Sequence, residues 1–309
     1  MPQTSAPGFD PRQPFTRADA SAAGLTWRYL DGPRCQQLLP GVFLDADVVP
    51  TPALLARAGM LLVPTAEAAC HLTAAEILEL PVPLSDEVHL LLPPQAARVR
   101  RKGIRVHHGT RRLSIREGVT ITTALETFGD VAPDVSLVEA VVLGDAVVHE
   151  GYATVSALTR AAARVSGGAG QRVRAAAELV RARVISPRET RLRLLLLFSG
   201  LPEPVIAYPV TAGGRARELD TAYPEWRVAV EYDGRHHVER DLQWSEDIER
   251  REDLNGEQWN LITVTGMQMW DPERVIMRVR RALQSAGAPL PPISQEWRRH
   301  FPTRRRSRR

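Results

Sequence analysis

The chain has 309 residues, enough for two or three domains, and its hydrophobic fraction of 44% is that of a soluble globular protein. No run approaches a membrane span, because the apolar stretch 42–63 is broken by Asp45, Asp47, Pro50, Pro52 and Arg57, and two cysteines, Cys35 and Cys70, make neither a disulfide framework nor, by themselves, a zinc site. The net charge is +4, but the last twelve residues, RRHFPTRRRSRR, carry seven arginines and no acid, which leaves the remainder at −3 and excludes a globally basic nucleic-acid binder.

The N-terminus, MPQTSAPGFDPRQPF, is polar and proline-rich and lacks the apolar core of a signal peptide, so the simplest location is cytoplasmic. Residues 1–14 read as disordered. Over 15–50, Arg17–Ala23 reads as a short helix stopped by Gly24, Thr26 as the cap of a second helix, and CQQLLPGVFL as two strands around a Pro40-Gly41 turn. That outline is a winged helix-turn-helix, whose second helix presents Trp27, Arg28 and Tyr29 to a DNA groove. The other reading is a small helical packing unit with Trp27 and Leu30 in its core.

Residues 51–165 form an α+β middle region without a catalytic constellation. The pattern predicts helix over 52–80, then strand-like runs VHLLLPP, IRVHH and AVVLGDAVVH alternating with helical segments such as 119–128. His107 and His108, at a strand end, read as an exposed or structural pair.

After SGGAG (166–170), read as a loop, the segment 171–290 predicts a helix at 171–183 and a second at 186–201. The second opens on a Ser cap, Pro at its first position and Glu189 at its third, and ends at Gly200. Strands follow at 205–210, 215–222 and 226–233, then a helix at about 241–257, a strand at 259–265 and a helix at 272–286. Residues 291–309 are a basic tail whose Arg304, Arg305 and Arg306 either hold phosphates or solubilise the end.

The strand 226–233 alternates. Trp226, Val228, Val230 and Tyr232 point one way, while Arg227, Ala229, Glu231 and Asp233 point the other. Asp220 closes the preceding strand, and a turn at Tyr223-Pro224-Glu225 would bring it beside Glu231. Ionised carboxylates this close repel one another unless a cation lies between them. Three oxygen ligands from adjacent strands suit a hard divalent cation that also takes substrate phosphate, and His236 or His237 in the next loop suits proton transfer. The alternative is a solvated acidic face.

Glu189 on a helix, Asp220, VEYDG, and His237 four residues beyond Asp233 resemble the PD-(D/E)XK nuclease superfamily, and in particular its very-short-patch-repair-endonuclease-like branch. The resemblance spans roughly 186–286 and includes SEDIERREDL and QWNLITVT. The N-terminal third resembles the winged-helix domain of type IV toxin–antitoxin antitoxins. The expected fold class is therefore α/β in the broad, α+β sense: winged helix, α+β middle region, and a restriction-endonuclease-like core.

The resemblance implies a DNA endonuclease using Mg2+ or Mn2+. Asp220 and Glu231 would be the main metal ligands, Asp233 a further ligand and His237 the base or acid. Glu189 would orient a water, and Gln243 and Arg250 would contact the scissile phosphate from the long helix. Asp233 stands where the superfamily usually has lysine, so proton transfer falls to a histidine. The implied partner is DNA and not a membrane, with a homodimer as the form that cuts both strands. The alternative is a DNA-binding regulator or antitoxin-like protein retaining an inactive nuclease fold.

Overall fold

The computed structural model describes residues 9–233 and 241–302, with the side chains of all of these but 241–248. The chain is mixed α+β and divides into two compact units, Met1–Val135 with Arg160–Val173, and Ser136–Thr159 with Arg174–Arg309. No helix among the described residues is long and apolar enough to cross a membrane.

The first unit begins with β1 (Phe15–Thr16), α1 (Arg17–Ala22), α2 (Trp27–Leu30) and a hairpin of β2 (Cys35–Leu39) and β3 (Val42–Asp45), with sheet order β1-β3-β2. The Thr16 hydroxyl accepts the Asp19 N–H at 3.2 Å while the Asp19 carboxylate accepts the Thr16 N–H at 2.8 Å, a reciprocal cap on α1. Gly24, at φ +76°, ends that turn of chain at a conformation costly for any residue with a β-carbon. Phe15, Ala20, Leu30 and Phe43 bury together beneath it.

Next come α3 (Pro52–Leu62), capped by Thr51, then β4 (Ala68–Ala69), α4 (His71–Ile77), β5 (Val88–Leu92), β6 (Ile104–His108), β7 (Leu113–Arg116), β8 (Val119–Thr122) and α5 (Ala124–Val131). The strands order β6-β5-β4-β8-β7. The helix expected over 52–80 is interrupted, because Ala68 and Ala69 pair with β5 on one side and β8 on the other, a tertiary pairing that overrides alanine's helical preference. The expected helix over 119–128 likewise starts only at Ala124, since Val119–Thr122 pair antiparallel with β7.

The second unit holds α6 (Leu137–His149), α9 (Pro187–Phe198) and a four-stranded sheet; α7 (Val155–Ala162) and α8 (Gly167–Leu179) carry the chain from one unit to the other and back. The run AVVLGDAVVH, expected as a strand, lies within α6. Ser136 caps this helix by accepting the Glu139 N–H, and α6 is buried on nearly every face, so its sequence lacks the one-sided stripe that marks a surface helix. The glycines of SGGAG, expected as loop, open α8.

The sheet consists of β9 (Val205–Ala212), β10 (Arg215–Tyr223), β11 (Val228–Asp233) and β12 (Asn260–Thr265), ordered β12-β11-β10-β9. Its first three strands run antiparallel, while β11 and β12 are parallel and joined by α10 (Asp241–Gly256); α11 (Pro272–Ser285) and α12 (Trp297–His300) follow. Strand β11 starts two residues later than expected because Pro224–Trp226 form a 3-10 turn closed by Arg227 at φ +48°. Ala229 is buried with Leu254 and Trp259, so α10 covers part of the face expected to be polar.

Between α6 and α9 lies a buried ion pair, with the Arg193 and Asp145 side chains each 2% exposed. Asp145 Oδ2 accepts from Arg193 Nη2 at 3.1 Å and from the Thr190 hydroxyl at 2.8 Å, while Oδ1 accepts the Arg181 N–H at 2.8 Å. Removing one partner strands the other charge without water. Arg193→Met or Asp145→Leu alone is expected to cost about 3–5 kcal/mol, and the double variant substantially less than the sum. Urea unfolding of the three variants checks this; single-variant losses below about 1 kcal/mol would contradict the pair's role.

Candidate functional site

Glu189 enters the site from the first turn of α9. Ser186 Oγ accepts the Glu189 N–H at 3.2 Å and donates to Glu189 Oε1 at 2.8 Å, while Oε2 accepts the Ile185 N–H at 3.1 Å. The local sequence SPRE builds this cap, which fixes the carboxylate's direction. Burial raises the Glu189 pKa against these hydrogen bonds, and the charge of Asp220 raises it further, so the two carboxylates sit within electrostatic reach.

Asp220 lies on β10. Strands β10 and β11 pair Ala222 with Ala229 and Tyr223 with Val228, a register that extends to place Asp220 opposite Glu231. There the Asp220 carboxylate accepts the backbone N–H of Tyr232. Burial raises the Asp220 pKa, and the Tyr232 N–H and the nearby Arg250 charge act to lower it.

Glu231 is held by Arg250. Nη2 lies 2.5 Å from Oε1 and also donates to the Glu218 carbonyl at 2.9 Å, and the two side chains are 30% and 15% exposed. Arg250, expected to contact a phosphate, gives its guanidinium to the Glu231 carboxylate in this structure. Asp233 ends β11, half-buried and paired in register with Thr265. The Arg188 guanidinium, on α9, lies 5.6 Å from the centre of the Tyr232 ring. The structure thus sets Asp220 opposite Glu231, with Arg250 on Glu231 and Glu189 near enough to Asp220 for their charges to interact.

His236, His237, Arg304, Arg305 and Arg306 lie outside the described residues, as does the side chain of Gln243. In the first unit, Trp27 and Arg28 are exposed, and the Arg17 guanidinium stacks 4.4 Å over the indole. Tyr29 leans inward against the Phe15–Phe43 cluster, and burial raises its pKa. Of the three residues expected to face a groove, Trp27 and Arg28 are exposed and Tyr29 is half-buried.

Among the described residues, His71, His89 and His107 are the one group of three or more ligand-bearing side chains whose donor atoms all lie within 4.8 Å of one another; Asp220, Glu231 and Asp233 do not form such a set. The sequence reading missed this trio because its members stand eighteen residues apart with no local motif. The pair His107-His108 divides: His108 is exposed and His107 turns inward. A strand's alternation was the available signal, since neighbours on a strand face opposite ways.

No protein-family model matches the chain. Two curated proteins of Mycobacterium tuberculosis, "Uncharacterized protein MT2308" of strain CDC 1551 / Oshkosh and "Uncharacterized protein Rv2248" of strain ATCC 25618 / H37Rv, are each 28% identical over 225 residues, covering 71% of this chain and 82% of the relative. A crystal structure of the RV2827C protein from Mycobacterium tuberculosis is similar at a TM-score of 0.39 and 14% identity, covering 66% of this chain and 85% of that one.

The raised Asp220 and Glu189 pKa values set the sign of a pH effect. A carboxyl whose folded pKa lies above its unfolded value binds a proton more readily when folded, so its contribution to stability grows as pH falls from neutral into the carboxylate range and is lost as pH rises. Asp220→Asn stays neutral and can still accept the Tyr232 N–H. It is expected to raise stability at pH 7.5 in chelator and to differ less from wild type at pH 5. Urea unfolding at the two pH values decides this, and an Asp220→Asn chain less stable than wild type at pH 7.5 would contradict it.

Proposed function

We propose that the chain is a divalent-metal-dependent DNA endonuclease, with residues 15–50 as a winged-helix DNA contact and 171–290 as a restriction-endonuclease-like core. The observation that carries this reading is the meeting of Asp220 on β10 and Glu231 on β11 with Glu189 within electrostatic reach, close enough for Asp220 to raise the Glu189 pKa. The order of elements supports it: a capped helix, three antiparallel strands, a helix, a parallel strand and a closing helix. DNA is the partner, the cytoplasm the location, and a homodimer the form that cuts both strands.

The donor set fits a hard cation, because all of its members are carboxylate oxygens and positive charge would relieve the desolvation of Asp220. Asp220, Glu231 and Asp233 would hold Mg2+ or Mn2+, which supplies Lewis-acid charge at a scissile phosphate. Glu189, its carboxylate already aimed by Ser186 and Ile185, accepts a hydrogen bond from the attacking water and orients it. Arg250 and Arg188 contribute cations for substrate phosphates, with Arg250 exchanging the Glu231 oxygen for a phosphate oxygen. His237 serves as proton carrier.

The Arg250–Glu231 pair also favours a second reading. A guanidinium already neutralises the carboxylate that a metal would, as a retained but inactive nuclease fold on a DNA-binding regulator would have it. Plasmid cleavage separates the two. With Mn2+ or Mg2+ the wild-type chain is expected to nick DNA, chelator to stop it, and Glu231→Gln to reduce the rate by about 100-fold or more. DNA binding without cleavage in either metal, unaffected by Glu231→Gln and weakened by Arg28→Ala, would establish the regulator instead.

A further inference from the structure

His71 opens α4 directly after β4, His89 is the second residue of β5, and His107 is the fourth of β6. In the parallel β5/β6 ladder, Leu91 stands beside His107, which sets His89 and His107 on one face of the sheet two positions apart. His71 reaches the same place with φ +52°, a left-handed backbone that a side-chain-bearing residue keeps only where its surroundings impose it. His71 and His89 are buried and His107 half-buried.

The three ring centroids are 4.7, 4.9 and 5.1 Å apart and the ring planes lie within 13–19° of one another. Three nearly equal separations make a triangle, which three rings stacked in a column cannot. His89 Nδ1 lies 3.0 Å from His107 Nε2, and one ring nitrogen of each histidine falls within 4.8 Å of the others.

Hydrogen bonds at the far edges assign the lone pairs. The Ser85 hydroxyl donates to the Glu87 carbonyl at 3.0 Å, so toward His89 Nε2, at 3.2 Å, its oxygen is the acceptor. That leaves the lone pair of His89 on Nδ1. His71 Nε2 donates to the Asp134 carboxylate at 3.0 Å, leaving its lone pair on Nδ1, and this Nδ1 is buried with no hydrogen-bond partner. A single N–H on His107 Nε2 satisfies His89 and leaves His71 orphaned, at the cost of an unpaired buried acceptor. One cation satisfies all three nitrogens. Burial lowers the His89 pKa to about 3 and that of His107 to about 4.

We propose that His71, His89 and His107 form a three-histidine site for a borderline divalent transition-metal ion, Zn2+ above all, with Asp134 orienting His71 from its outer nitrogen. Imidazole donors select Zn2+, Co2+ or Ni2+ over Mg2+ and Ca2+. Metal–nitrogen bonds of about 2.0–2.1 Å to three rings spread about one ion set their centroids roughly 5 Å apart, the separation found here. The Asp134–His71 contact is the carboxylate–histidine pairing that fixes a ligand's tautomer, and three protein nitrogens leave a fourth position for water or another small ligand.

The test uses the full chain, stripped by chelator and titrated with Co2+ in excess Mg2+, so that oxygen-donor sites are already filled. One equivalent of Co2+ is expected to bind with the visible absorption of a low-coordinate nitrogen site, and Zn2+ to displace it. His107→Gln is expected to weaken binding at least about 100-fold, and Asp134→Asn about 10–100-fold at unchanged stoichiometry. Circular dichroism confirms that each variant folds. Should His107→Gln fail to fold, Asp134→Asn carries the test, since that side chain is 66% exposed. The site is overturned if wild type binds no Co2+, if a folded His107→Gln chain binds it unchanged, or if, with His107→Gln unfolded, Asp134→Asn binds it unchanged.

Discussion

The second unit is organised around a charge that has no access to water. Asp145 sits in the middle of an apolar helix, and an ionised carboxylate there is tolerable only with a full set of donors. Those donors come from elsewhere: Arg193 and Thr190 from α9, and the Arg181 backbone from the segment after α8. Arg193 in turn caps the Leu179 carbonyl. Each helix therefore depends on the others for solvation of its buried charge, and α9 is held where Thr190 and Arg193 both reach Asp145. At the half-exposed edge of the same two helices, Arg191 pairs with Glu139 and adds a weaker tie.

Fixing α9 fixes Glu189, and that is where the buried ion pair bears on the candidate site. Glu189 lies one turn before Arg193 on the same helix, so the geometry that satisfies Asp145 also delivers a capped carboxylate to Asp220. Like charges brought together under partial burial oppose folding, and the fold answers with Arg250 on Glu231 and the Tyr232 N–H on Asp220. A cluster that costs stability and is only partly compensated is the usual mark of a site kept for binding rather than packing.

What the sequence disclosed follows from how local each cause is. The Ser186 cap, the Gly200 stop and the strands of the 205–265 sheet were legible because cap, turn and alternation are written within a few residues. Helix α6 was not, because its apolar residues surround the axis and a run rich in valine resembles a strand; Asp145, a lone acid inside that run, was the overlooked signal that a partner lay elsewhere. Strand β4 has two alanines and exists only through its neighbours. The facing of Asp220 and Glu231 was legible from β-strand register, but the Arg250 bond to Glu231 was not, since it joins residues nineteen apart across two elements.

The two donor sets are chemically orthogonal, and this bears on which ion each would hold. Zn2+ outcompetes Mg2+ at almost any mixture of nitrogen and oxygen ligands, so selectivity rests on donor type and availability rather than on strength alone. Carboxylates around Asp220 suit the abundant hard ion that is loosely held and shares its coordination with phosphate. Neutral imidazoles around His89, aligned by Ser85 and Asp134 before any ion arrives, suit the scarce one. Preorganisation matters more for the scarce ion, since ordering three side chains at the moment of binding would subtract from affinity. The burial of His71 and His89, the left-handed backbone of His71 and the carboxylate behind it are all consistent with a site built ahead of its ligand, whereas Glu231, engaged by Arg250, would have to exchange one cation for another to hold a metal.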